Sequence, residues 1–180
     1  MVNVHKPAIR VATLLFCTAL CSCGPTADGE VHLFPSDYAG PVVIVYDQPD
    51  GAPPERDADG WRVYRIPPSG ILYTQFGTNF GMYPGPPKYF RDQKGGEVEI
   101  EGVPRQDVES GTVAPHRDVV SYNSSGHVGR QGRCYEHDKE HAYSFQYYVV
   151  GPAYRADSLM RIINRETLEE IRASVESLCP

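Results

Sequence analysis

The chain predicts a mainly β protein, a single β-sandwich domain closed by one C-terminal amphipathic helix. Three observations carry that prediction. Seventeen Gly, 16 Pro and 12 Tyr among 180 residues suit many short strands joined by turns rather than a helical fold. Short apolar or alternating runs, each bounded by turn residues, recur along the chain. Only near the end do apolar residues take helical spacing, at Leu168, Ile171, Val175 and Leu178.

Taken in order, "VHLFP" from Val31 is the first strand candidate, followed by the turn "SDYAG". In "PVVIVYD" Pro41 is tolerable at a strand start but not inside a strand. The unbroken run Val42 to Tyr46 then reads as a strand buried on both faces, at the centre of the core. "QPDGAPPERDADG" is a long turn. "WRVYRI", "PPSG" and "ILYTQF" read as a hairpin from Trp61 to Phe76. "GTNFGMYPGPP", Gly77 to Pro87, is too rich in Gly and Pro for regular structure and predicts a long surface loop. "KYFR", "EVEIEGV", "DVVSYNSSG" and "HAYSFQYYVVG" are further strands. "ADSLMRII" fits strand or helix. The closing helix is expected over about 165–178, with Asn164 available as N-cap. The architecture this suggests is transthyretin- or immunoglobulin-like.

The N-terminus is an address. Lys6 and Arg10, with no acid among the first ten residues, precede the apolar run Val11 to Leu20, the charged and hydrophobic regions of a secretory signal. The run is too short to cross a bilayer, which takes roughly 20 apolar residues. Leu20-Cys21-Ser22-Cys23 is similar to the bacterial lipobox, with Leu at −3, Ser at −1 and the acylated Cys at +1. Residues 1–22 are therefore expected to be a lipoprotein signal peptide, Cys23 the lipidated residue, 23–30 a tether and 31–180 the domain. Acyl chains on Cys23 make the bilayer a partner, because a second chain turns marginal binding into stable anchoring. The residue after Cys23 is Gly24 rather than Asp, the pattern of lipoproteins sent to the outer membrane.

Cleavage before Cys23 leaves 15 basic against 23 acidic residues, a net charge of −8. Such a chain is unsuited to nucleic acid. Cys134 and Cys179 then remain beyond the lipidated residue, and in an oxidising compartment an even pair predicts a disulfide. In the chain-entropy model, closing the loop between them stabilises by about 3–4 kcal/mol.

Pro35 to Phe76 carries P-x-x-Y-x-G-x-V-x-I-x-Y and then Y-x-I-P-x-x-G-x-L-x-T, and an aromatic strand ends in "YYVVG". This pattern resembles a bacterial family of uncharacterised secreted and lipoprotein domains. The match extends over much of Pro35 to Gly151. Its motifs are turn and strand signatures, so the resemblance implies a fold and transfers no catalytic residue.

Three groups of residues could carry chemistry. His137, Glu140 and His141 match the H-x-x-E-H pattern of inverted zinc peptidases, which needs a helix and a further ligand downstream. The competing reading is a charged turn before an edge strand. Cys134 with His137 and His141 would be a structural zinc variant. Asp47, Asp50, Asp57 and Asp59 crowd one turn, yet no bidentate Glu completes a calcium loop. Tyr73, Phe76, Phe80, Tyr83, Tyr89 and Phe90 surround the Gly/Pro loop. They either form a contact surface or fold back as a small satellite core. No Gly-rich phosphate loop or G-x-S-x-G setting is present.

Together these features lead us to expect an outer-membrane lipoprotein facing the periplasm, non-catalytic and without a cofactor. It would contact an envelope protein or other periplasmic ligand through the loops at Asp47–Trp61 and Gly77–Tyr89. The alternative is a small zinc-dependent hydrolase using His137, Glu140 and His141.

Overall fold

The computed structural model describes residues 26–122, 132–136 and 139–162, the side chains of 132–143 and of residue 162 excepted. The first strands are β1 (Glu30–Phe34), β2 (Gly40–Val45), β3 (Arg62–Arg65), β4 (Ile71–Tyr73) and β5 (Lys88–Gln93). Next come β6 (Gly96–Pro104), α1 (Arg105–Glu109), β7 (Asp118–Tyr122), β8 (Gly132–Glu136), β9 (Lys139–Tyr143) and β10 (Phe145–Pro152). A 3-10 turn at Ala153–Arg155 leads into α2 (Ala156–Ile162).

Eight strands form one sheet in the order β3-β1-β5-β6-β7-β10-β2-β4, while β8 and β9 make a separate hairpin. The two-layer sandwich expected from the sequence is replaced by a nearly closed, barrel-like sheet. Strand β6 is the reason. Its first half pairs antiparallel with β5 and its second half parallel with β7, so the sheet is continuous where a sandwich would break. One core cluster accordingly collects side chains from all eight strands, among them Phe34, Ile44, Tyr64, Leu72, Tyr89, Ile100, Val120 and Tyr148.

The expected hairpin between Trp61 and Phe76 does not form. Strand β3 pairs parallel with β1, and β4 pairs parallel with β2, at opposite edges of the sheet. The backbone groups a hairpin ladder would use are taken by the segment between β2 and β3. The Val63 N–H donates to the Glu55 carbonyl, the Ala52 N–H to Tyr73 and the Gln75 N–H to Ala52. The acidic, Pro-rich turn thus fills the seam between the two edges, which lowers the hazard of unpaired strand edges.

Strand β2 has the two-sided burial its composition predicts. Val42, Ile44 and Tyr46 face the interior. Val43 and Val45 pack outside against Phe145, with Ile71, Tyr73 and Tyr147 around them. The undecided segment "ADSLMRII" is helical through Ile162, and its Ala156, Leu159 and Met160 cover Val149 on the outer face of β10. The helix expected over 165–178 lies outside the described residues.

The two halves of the sequence pattern meet at one end of the barrel. Tyr38, half-buried, donates its hydroxyl hydrogen to the Pro41 carbonyl. A Cβ on Gly70 would come within 2.1 Å of that hydroxyl and 2.3 Å of the Pro41 oxygen, at a φ of +80°. Only glycine accepts both the left-handed backbone and the close approach. The Tyr of the first motif and the Gly of the second are therefore one packing unit, joining β2 to the turn before β4.

Candidate functional site at the barrel mouth

At the opposite end β1, β3, β5 and β10 begin, while β2, β4, β6 and β7 finish. Three segments converge on this mouth: the chain entering at Thr26, the seam turn and the Gly/Pro loop. The alternation of β1 directs Glu30, His32 and Phe34 inward. Glu30 is 1 % exposed and His32 0 %, unusual for side chains that are rarely buried without partners.

Those partners are present. His32 Nδ1 lies 2.8 Å from the Tyr148 hydroxyl, and His32 Nε2 lies 3.3 Å from Glu30 Oε2. Asn79 Nδ2 donates to Glu30 Oε1 at 2.8 Å. One assignment of protons satisfies all four groups: Tyr148 donates to Nδ1, Nε2–H donates to an ionised Glu30, and Asn79 donates to its other oxygen. The imidazole is also packed among the rings of Tyr64, Tyr89 and Tyr148, with centroids 5.0 to 5.5 Å away. Burial, and then the charge of Glu30, push the hydroxyls of Tyr64 and Tyr89 well above their ordinary range. Tyr148 is raised in the same sense by burial and by its neighbours Tyr89 and Glu30. These tyrosines stay protonated.

The chain of bonds ends on the loop. The Asn79 Oδ1 accepts the Asp28 N–H at 2.8 Å, and its Nδ2 also donates to the Asp28 carbonyl at 2.9 Å. Arg62 Nε donates to Asp28 Oδ2 at 2.7 Å, and its Nη1 donates to the Gly77 carbonyl. The same guanidinium lies 4.8 Å from the centroid of the Phe76 ring. Hydrogen bonds from Arg56 and Arg62 hold the Asp28 carboxyl below its usual range. Thr26 forms a parallel bridge to Met82, with the Ala27 N–H donating to the Met82 carbonyl. Loop 77–87 is therefore fastened at Gly77, Asn79 and Met82. It nevertheless leaves Phe80 55 % and Met82 77 % exposed, Met82 being fastened through its backbone alone.

The aromatic cluster expected around this loop separates. Phe76 and Tyr89 belong to the core, and Tyr73 packs on the outer face of β2. Tyr83 is half-buried, its hydroxyl donating to the Asn79 carbonyl at 2.8 Å. Only Phe80 of these six aromatic residues stands out into solvent. Met82 joins it, and nothing in an aromatic search would select it. Beside the loop, a cleft of about 480 Å³ opens over Gly102 between Tyr89 and Tyr122, where a Cβ would approach Tyr89 to 2.7 Å.

Asp57, one of the four calcium candidates, uses its Oδ1 to accept the N–H groups of Asp59 and Trp61, both at 2.9 Å. That is a turn cap. Among the described residues no three His, Cys, Asp or Glu side chains gather as a metal shell. Glu140 and His141 lie on β9, opposite Tyr135 and Cys134 of β8, not on the helix that the zinc-peptidase pattern requires. His137, Cys23 and Cys179 lie outside the described residues. None of Glu30, His32 and Asn79 stands out in sequence: Glu30 falls at the end of the expected tether, His32 in a short strand candidate and Asn79 in the Gly/Pro loop. The available signal was the alternation of Glu30 and His32 with Phe34 in "EVHLF".

Glu30, His32 and Tyr148 are buried and bonded to one another and, through Asn79, to the loop. No curated protein matches the chain at a significant level. A crystal structure from Bacillus anthracis described as a "Putative Lipoprotein" is similar at 19% identity and a TM-score of 0.45, over 71% of each chain. Residues 26–151 match the model of DUF6843, a family of unknown function, and the chain belongs to that family.

Proposed function

We propose that this protein is a lipid-anchored, non-catalytic contact module of the bacterial cell envelope, acylated on Cys23, held at the outer membrane and facing the periplasm. The observation that carries this reading is the way loop 77–87 is fastened. Three fastening points, one reaching through Asn79 to a fully buried Glu30, hold two large apolar side chains in solvent. An exposed apolar patch maintained in this way marks a contact surface. The address rests on the lipobox-like residues around Cys23 and on Gly24.

Labelled palmitate should enter the wild-type protein and not Cys23→Ser, which should leave the membrane fraction. Continued membrane retention of Cys23→Ser removes the anchor. Metal analysis of the full chain, purified without chelator, bears on the non-catalytic part. Stoichiometric zinc would instead favour a hydrolase built on His137, Glu140 and His141.

A further inference from the structure

We infer that the partner of loop 77–87 is the bilayer that carries the acyl chains, so that Phe80 and Met82 enter the lipid headgroup region and fix how the barrel stands on the membrane. This rests on the reading of Cys23 as the acylated residue.

Distance is the first argument. Three peptide steps separate Cys23 from Thr26, a reach of about 11 Å even fully extended. Thr26 is bridged to Met82 by backbone pairing, so the loop cannot lie far from the residue that holds the lipid. The short tether leaves little room for a folded partner between them.

Charge is the second. The mature chain carries a net −8, which opposes approach to anionic lipid. Yet Gly77 to Pro87 contains no charged residue. Of the carboxylates beside it, Asp28 is paired with Arg56 and Arg62 at 2.8 and 2.7 Å, while Asp47 lies against Gly77. The loop beside the anchor is thus itself neutral and apolar. At the same rim Lys88 Nζ sits 4.2 Å from the centroid of the Trp61 ring, and Trp and Lys side chains favour the membrane interface. The mouth therefore presents to the bilayer insertable side chains on an uncharged loop, with a Trp–Lys pair at its rim.

The test uses the full-length lipidated chain, reconstituted into vesicles of phosphatidylethanolamine and phosphatidylglycerol with or without brominated acyl chains. Tryptophan is placed at the loop in Met82→Trp and, as a control toward the far end of the barrel, in Val98→Trp; wild-type Trp61 supplies the baseline. Flotation is measured first and emission second. The proposal expects all three proteins to float, and about half of the added Met82→Trp emission to be lost to bromine, as for a side chain roughly 5–10 Å into the boundary region. The added Val98→Trp emission should be unchanged. A protein that floats while its Met82→Trp signal ignores bromine and yields to aqueous iodide overturns the docking and leaves the anchor intact. The loop would then be free for a protein partner. A wild-type chain that does not float overturns both.

Discussion

At one end of the barrel Tyr38 lies against Gly70 and Pro41, with its ring stacked 6.2 Å from Phe34. At the other, Asn79 reaches in to a buried Glu30, which meets His32 and through it Tyr148. The first closure works by steric fit, with a single hydroxyl hydrogen bond at its centre. The second works by polar satisfaction along the chain from Asn79 through Glu30 and His32 to Tyr148. Steric closure needs only a turn and a glycine. Polar closure can hold an irregular loop in place while its apolar side chains stay outside. The end that shows Phe80 and Met82 to solvent is the end tied down by hydrogen bonds.

The largest test of this contrast is alkali. Tyr46, Tyr64, Tyr89 and Tyr148 all have hydroxyls pushed above the ordinary 10.0, burial being the main cause. Tyr38, at the steric end, is raised to about 12 by burial alone. A group whose folded pKa is raised contributes stability that is whole below its unfolded pKa and is lost as pH climbs above it. Absorbance at 295 nm should therefore show the inner tyrosines ionising together with global unfolding, above pH 10. Their gradual ionisation in a folded barrel would mean the interior is open to water.

Next in size is Glu30→Ala. It leaves the His32 Nε2 and one of the two Asn79 Nδ2 hydrogens without their Glu30 partner, each orphan costing about 1–3 kcal/mol, so urea denaturation should show a loss on the order of 4 kcal/mol. Glu30→Gln keeps an acceptor and should cost clearly less. Gly70→Ala attacks the other end. A positive φ costs about 1–2 kcal/mol and the clash with Tyr38 and Pro41 adds about 1–2 more, giving roughly 3 kcal/mol. If Gly70→Ala outweighs Glu30→Ala, polar closure is the weaker of the two.

Asn79→Ala should cost about 2 kcal/mol and act locally. Amide exchange at Asp28 and in loop 77–87 should speed up while β2 and β10 stay protected, a pattern that a global effect would not give. Tyr38→Phe, which removes one hydrogen bond and keeps the ring, is the smallest at about 1 kcal/mol.

The strands were legible because each carries its own local pattern. Val42 to Val45 could be read as a two-faced strand from composition alone, and the structure buries all four. The barrel was not legible. Whether β3 pairs with β4 or with β1 depends on Ala52 and Glu55 occupying the seam, and nothing in "PPSG" announces it. Among the candidate site residues, Phe80 could be found from its place in an apolar, Gly/Pro-rich loop. Phe76 and Tyr89 look the same in sequence and are core. An aromatic residue near a loop can face either way, and only the curvature of the sheet decides.

By itself, then, the sequence determined the β character and the places of the sheet strands along the chain. These depend on interactions within a few residues. The tertiary structure alone decided that the sheet rolls into one barrel rather than two layers, that Glu30 and His32 turn inward, and that the Gly/Pro loop is pinned beside Thr26. Each of those outcomes joins segments far apart in the chain, up to 116 positions for His32 and Tyr148. Their free energy comes from partners that no local pattern contains.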